Sequence, residues 1–328
     1  MTDVRWNCNL IRALLNGRFV VFFGAGLGEE YELPNWKEIT SLLIKEFERH
    51  PGYSDYKKTI EHLLNAKQYS EVIDYLKFLD LGDGTDKVTE AIDRVFSEPK
   101  IGEITTNQDL LFELKVPIYL TTNVDETLEH SKQKAGKKRA KIFSYDDEKD
   151  IKSILLSNDL IDSPLIVRLH GELKSRDSLV FSKEQYSDVL MKMNREHYFF
   201  SSTLPAILNT YTILFVGYGL EDPDVNILLR NFNIIPSHAA SVFWLQFDKD
   251  IDVKKVSDIK KFGIQVIELD TKKFDGNRTE SLKEVLKDLK MIQNGIERED
   301  KREVIRTDSK LEKYIEDVRV RYKKSHTL

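Results

Sequence analysis

Residues 18–23 (RFVVFF) form an unbroken apolar run that stops at Gly24, and the pattern returns along the chain. Similar runs occupy 117–121 (PIYLT), 141–145 (KIFSY), 164–169 (PLIVRL), 212–217 (TILFVG), 242–246 (VFWLQ) and 264–269 (IQVIEL). A strand with one wet face alternates apolar and polar residues, whereas a strand covered on both faces is apolar at consecutive positions. Several of these runs are of the second kind, and helical segments separate some of them. The alternation predicts an α/β fold, a Rossmann-like parallel sheet flanked by helices.

The stretch between the first and second runs is too long for an ordinary crossover and reads as a helical insert over about 35–114. Asn35 and Glu38 have capping-box spacing, and Trp36, Ile39, Leu42, Leu43 and Phe47 share one helical face behind them. Gly82, Gly84 and Pro99 punctuate the insert. After residue 274 the texture changes. Leu282, Val285, Leu286, Leu289 and Ile292 make one amphipathic helix; Leu311, Ile315, Val318 and Tyr322 make another, with Ser309 and Glu312 at capping-box spacing. A charged stretch, 297–303, separates them. The expected division is a ligand-binding domain over 1–274 and a charged helical tail over 275–328. That tail either packs back on the domain or serves as an interface.

Composition narrows the function classes. Hydrophobic residues are 41% and charged residues 32% of the 328, enough for a packed core and against global disorder. No run of about 18 apolar residues occurs, so no membrane span is expected. The first residues lack a signal-peptide pattern, which makes the cytoplasm the expected location. A formal net charge of -5 argues against a general nucleic-acid coat. Locally, Lys132, Lys134, Lys137, Lys138, Arg139 and Lys141 form a basic cluster. It is a solvated loop, or it meets nucleic acid or an acidic partner surface. Cys8 is the single cysteine, so neither an intrachain disulfide nor a four-cysteine zinc module can form.

The chemistry-bearing residues fall where strands end. Gly24, Ala25, Gly26, Leu27 and Gly28 follow the first run. Glycines there let backbone N–H groups approach a pyrophosphate, although such turns also occur without one. Glu29 stands where the third glycine of the dehydrogenase fingerprint would fall, so that fingerprint is not met. Thr122, Asn123 and Asp125 follow the second run, His170 and Gly171 the fourth, and Gly217, Tyr218 and Gly219 the fifth. In a parallel sheet these carboxyl ends line one crevice. Asn123 and Asp125 also suit capping of a following helix, as do Asp222 and Asp224.

Taken in order, Gly24-Ala25-Gly26, Thr122-Asn123-Val124-Asp125, Leu169-His170-Gly171 and Gly217-Tyr218-Gly219 resemble the motif set of SIR2 (sirtuin-type) domains. Leu33, Pro34 and Trp36 after the glycine loop, with Asp222, Pro223 and Asp224 later, resemble the bacterial SIR2-like branch that includes NAD-consuming anti-phage effectors. The resemblance covers about residues 10–270. It implies NAD as substrate, with Gly24, Ala25, Gly26 and Leu27 holding the pyrophosphate and Asp125 the nicotinamide carboxamide. Asn123 orients a water or the ribose, and His170 serves as general base. Gly217 and Tyr218 lie under the adenosine half, and Gln246 contacts its ribose. Two departures stand out: Gly28 replaces the family's usual serine, and the deacetylases' Ile-Pro-Asp-Phe-Arg stretch is absent. With the missing zinc cysteines, they favour NAD hydrolysis without zinc over deacetylation.

The expected function is therefore an NAD glycohydrolase that depletes the cofactor in anti-phage defence by abortive infection. Unchecked, such activity poisons its host, so the tail, the helical insert or an activating protein partner encoded nearby is expected to gate it; a homo-oligomer is the other expected assembly. The alternatives are a non-catalytic NAD or ADP-ribose sensor, and a zinc-free deacylase or ADP-ribosyltransferase.

Overall fold

The computed structural model describes residues 4–82, 86–97, 99–137, 139–157, 159–192, 199–218, 242–247, 263–296 and 301–325. Among the described residues seven strands form one sheet: β1 (Phe19–Phe23), β2 (Ile118–Thr121), β3 (Lys141–Ser144), β4 (Leu165–Arg168), β5 (Thr212–Val216), β6 (Val242–Phe247) and β7 (Ile264–Leu269). Their order is 3-4-2-1-5-6-7, and every pairing is parallel. This is the expected Rossmann-like α/β class. Each apolar run became a strand within one residue at either end. The inner strands β1, β2, β4 and β5 are buried throughout, while the edge strands β3 and β7 are partly exposed.

Successive side chains of a strand point to opposite faces, and β1 feeds two cores in that way. Phe19, Val21 and Phe23 join the layer of α1 (Cys8–Asn16), α6 (Asn107–Glu113) and α7 (Thr127–Lys134). Val20 and Phe22 join the opposite layer, with α8 (Glu148–Leu155) and α10 (Leu204–Thr210). The insert builds its own core from α2 (Trp36–Phe47), α3 (Tyr53–Asn65), α4 (Tyr69–Gly82) and α5 (Lys87–Phe96). Its capping box forms as the spacing predicts: Asn35 Oδ1 accepts from Glu38 N at 3.1 Å, and Glu38 Oε2 accepts from Asn35 N at 2.9 Å. This third core also takes in Val124, Leu179 and Phe181 from the turns after β2 and β4. The insert therefore sits over the carboxyl rim of the sheet.

The helices beyond residue 274 pack back. Leu282, Val285, Leu286, Leu289 and Ile292 of α11 (Arg278–Asn294) belong to the same core as α1. So do Leu311, Ile315 and Val318 of α13 (Asp308–Ser325). Between them lies the short α12 (Lys301–Val304). Buried Asp288 knots the layer together. It accepts from Trp6 Nε1 at 2.7 Å and from Arg319 Nη2 at 2.5 Å, while Arg319 Nη2 also donates to Val4 O at 2.9 Å. Helix α13 begins before Ser309, so that residue is not its cap; Thr307 Oγ1 accepts from Lys310 N at 3.4 Å instead.

Part of the basic cluster is spent inside the molecule. Lys132 Nζ donates to Ala140 O at 2.7 Å, and Lys134 Nζ donates to Ile104 O at 2.9 Å and pairs with Asp109 at 2.8 Å. Lys138 lies outside the described residues, as do Gly219, Asp222, Asp224 and most of the 297–303 stretch. Among the described residues no helix is long and apolar enough to cross a membrane.

Candidate functional site

The sheet register places the site. Phe23 lies opposite Thr121 on one side and Val216 on the other, and Thr121 lies opposite Arg168. The residues that follow, Gly24, Thr122, Leu169 and Gly217, therefore stand side by side at one rim. From β1 the chain proceeds to β2, β3 and β4 on one side of the sheet and to β5, β6 and β7 on the other. The β1/β5 boundary is the point where connections change direction, and open α/β sheets bind ligands at that point.

The turns after β1 and β5 are locked together through their backbones. Gly24 N donates to Val216 O at 3.1 Å, and Gly26 N donates to Gly217 O at 2.9 Å. Residues 25–27 then make one 3₁₀ turn, closed by Gly28 N donating to Ala25 O at 2.8 Å. A Cβ on Gly26 would lie 2.8 Å from Gly217 O, and Gly217 itself has φ of +72°. Both positions need glycine, one for close approach and one for left-handed backbone. Tyr218 braces this pair from below. Its hydroxyl donates to Phe23 O at 3.0 Å and lies 3.0 Å from Thr122 Oγ1. Its carbonyl accepts from Trp244 Nε1 at 3.1 Å and from Gln246 Nε2 at 2.6 Å. The Gln246 amide nitrogen thus holds the Tyr218 backbone.

The turns after β2 and β4 present side chains. Asn123 N donates to Thr121 Oγ1 at 3.0 Å, and Asn123 Nδ2 donates to Gly24 O at 3.3 Å. The buried amide is thereby tied to the glycine turn. Asp125 is wholly buried. One of its carboxyl oxygens accepts from Thr127 N at 3.0 Å and from the Thr127 hydroxyl, starting α7. Burial pushes its carboxyl above the ordinary range, against the pull of the Thr127 bonds and the Arg168 charge. Arg168, at the end of β4, supports the turn: Nη2 donates to Asp125 O at 2.7 Å and to Glu129 Oε2 at 2.9 Å. His170 is buried between aromatic rings. Trp36 meets it edge-on at 6.5 Å and Tyr186 at 5.0 Å. The Tyr186 hydroxyl is hydrogen-bonded to His170 Nε2. Burial drives the imidazole pKa down to about 3, so the ring is neutral at neutral pH.

Two cavities flank the glycine turn. The inner one is lined by Ala25, Trp36, Asn123, Asp125, His170 and Phe181. The outer one is lined by Gly26, Glu29, Gly217, Gln246, Phe247 and Arg278. The inner recess is largely apolar and the outer one carries charged and hydrogen-bonding groups, with the exposed Gly26 backbone between them.

Residues 117–267 match the SIR2-like domain family. That segment is somewhat under half of the chain. It runs from the strand before Asn123 into β7, and so includes Asn123, Asp125, His170, Gly217, Tyr218 and Gln246. Curated relatives extend the likeness. NAD(+) hydrolase ThsA of Acinetobacter baumannii is 26% identical over 226 residues, covering 69% of this chain and 41% of that protein. The protein of the same name from Cytobacillus dafuensis is 24% identical, over 69% of this chain and 40% of its own. Defense-associated sirtuin 2 of Bacillus subtilis is 24% identical, over 66% of this chain and 19% of its own length. The chain thus spans well under half the length of these relatives.

The strand-end motifs leave out Phe181, which lines the inner recess, and Tyr186, which contacts the His170 ring. Phe181 follows the turn after β4, and Tyr186 lies on α9 (Lys183–Lys192). Neither sits in a motif. Trp36 reads in the sequence as an apolar helix position and as part of the Leu33, Pro34 and Trp36 resemblance, neither of which sets it beside His170, yet the two rings meet edge-on. Arg168 carried a signal: a cation in an otherwise apolar strand needs a partner, and here it has Glu129 and the Asp125 carbonyl.

Proposed function

We propose that this site cleaves the nicotinamide–ribose bond of NAD, giving nicotinamide and ADP-ribose. One observation carries the reading: a buried asparagine and a buried neutral histidine, from the turns after β2 and β4, share one recess beside a glycine turn at the β1/β5 boundary. The names of the ThsA relatives support the same substrate.

The nicotinamide end enters the inner recess, against Trp36 and Phe181. The pyrophosphate lies over residues 24–27, and the adenosine half occupies the outer recess by Gly217, Tyr218 and Gln246. Asp125, with a raised pKa and one oxygen already engaged by Thr127, meets the carboxamide. As the glycosidic bond breaks, its electron pair moves to the pyridinium nitrogen and neutral nicotinamide leaves. Positive charge grows on the ribose. A water held by Asn123 adds its oxygen to that carbon, and His170 takes the proton that the water gives up. Positioning supplies a large share of the acceleration. The apolar walls keep other water away from the ribose cation.

The B. subtilis relative's name supports a role in defence. In that role an activating protein partner or self-assembly gates the activity. The test is to incubate the protein with NAD, alone and with proteins encoded beside it, and follow nicotinamide. Release that disappears in Asn123→Ala and His170→Ala supports hydrolysis. ADP-ribose binding without turnover in any state points to a sensor. Acylated ADP-ribose or labelled protein points to group transfer.

A further inference from the structure

The first turn of α11 forms one wall of the outer recess. Arg278, Thr279 and Leu282 line it together with Gly26, Gly217 and Gln246. The family match ends at residue 267, so this wall comes from beyond it. The wall is fastened to both neighbouring elements. Asn107 Nδ2 donates to Thr279 O at 3.0 Å, and Asn107 N donates to Glu30 Oε2 at 2.7 Å, which ties α11 to the stretch after the glycine turn. Ser281 Oγ donates to Asp270 O at 3.1 Å, just after β7. Asn277 Oδ1 accepts from Glu280 N at 3.1 Å and starts the helix.

Arg278 therefore projects from a fixed turn. Its guanidinium carbon lies 5.4 Å from the centroid of the Phe247 ring, at the end of β6. That is the separation of a cation–π pair. Phe247 is half-buried, Arg278 is exposed, and both line the recess. Leu245, Leu269 and Leu282 line it as well, all three buried. A planar guanidinium on an aromatic ring, beside three leucines, suits a flat heteroaromatic base, which gains from stacking and from apolar contact. A ribose or a pyrophosphate has no use for such a surface.

We propose that Arg278 and Phe247 form the stacking platform for the adenine of the substrate, so that the tail takes part in substrate recognition. The proposal rests on the outer recess holding the adenosine half, and it adds which residues hold the base and where in the chain they arise. Arg278 does not line the inner recess, where the bond is cleaved, so its loss acts on binding.

The experiment titrates adenosine, AMP and ADP-ribose, observed by ligand NMR, into wild type, Arg278→Ala and Arg278→Lys. Arg278→Ala is expected to weaken all three ligands by the same factor, about tenfold, because they share the base. Arg278→Lys is expected to recover little of that loss, because an ammonium has no planar face. With NAD, KM should rise about tenfold in Arg278→Ala while kcat stays within about twofold. In the wild type, adenine H2 and H8 should show nuclear Overhauser contacts to the Arg278 δ-protons or the Phe247 ring, a measurement that needs no variant to fold. A loss that grows from adenosine to ADP-ribose would make Arg278 a phosphate contact and overturn the proposal. Full recovery in Arg278→Lys overturns it too, as do adenine contacts confined to other residues. ADP-ribose binding equally to all three proteins removes the platform and leaves the cleavage reading standing, whereas a wild type that binds none of the three ligands removes both.

Discussion

The four rim turns divide into two kinds. Those after β1 and β5 offer backbone: they are glycine-rich, interlocked by Gly26 N donating to Gly217 O at 2.9 Å, and their side chains are absent or turned inward. Those after β2 and β4 offer side chains: Asn123, Asp125 and His170, each buried and held by neighbours. The division suits the proposed ligand. A pyrophosphate lying over the glycine turn needs close approach to the backbone, which a Cβ would block. Bond breaking at a single carbon needs a few functional groups fixed by packing. Binding and turnover should therefore be separable by mutation.

The largest effect is expected on the side-chain turns. Asn123→Ala should lower nicotinamide release about a thousandfold while ADP-ribose still binds in calorimetry. Equal losses of binding and turnover would erase the distinction between the two kinds of turn. Next comes Gly171, the one position where a side-chain turn also depends on glycine. It has φ of +78°, and a Cβ there would lie 2.1 Å from Ser178 O. Gly171→Ala should cost about 3 kcal/mol in urea unfolding, with its damage centred on the His170 turn.

A pH experiment isolates the histidine. His170 has a folded pKa near 3 against about 6.5 unfolded, so between those values the unfolded chain binds the extra proton. Its contribution to stability is therefore greatest above pH 6.5 and falls as pH drops toward 3. The stability difference between wild type and His170→Gln should shift against the wild type by about 2 kcal/mol from pH 7 to pH 5. Asp125 has the opposite sign, because its raised pKa favours the folded state at low pH, but it is common to both proteins and cancels. A difference flat across that range would mean that the histidine is hydrated. The smallest effect belongs to the glycine turns. Gly26→Ala should weaken ADP-ribose binding about tenfold, as the added Cβ presses on Gly217 O, and leave kcat nearly unchanged.

This contrast also marks what the residues reveal before folding. The glycine turns and the Asn123 and His170 positions were legible because each interrupts an apolar strand at its carboxyl end. The strands were legible because both faces are covered, which removes the polar alternation from β1, β2, β4 and β5. The surroundings of the His170 ring were not. Trp36 comes from α2 and Tyr186 from α9, and only the docking of the insert on the turn after β4 brings them to one imidazole. The placing of β4 between β3 and β2 carries no local signal either, because all three are short apolar runs. Helices α11 and α13 were legible as amphipathic helices, but the surface they cover was not. Their partners, Trp6 and α1, lie nearly the whole chain away.

That last contact has a consequence for synthesis. β1 and its glycine turn leave the ribosome well before residues 288–319, but the helix leading into β1 waits for partners from that later stretch. Arg12 Nε donates to Ile305 O at 2.9 Å, and Asp288 binds Trp6 only as part of a knot completed by Arg319. A nascent chain can hold the glycine turn, Asn123 and His170 and still lack the layer that fixes the sheet beneath them. Helix α13 then acts as a timer for the proposed site: the layer beneath it is completed only after translation has passed residue 319.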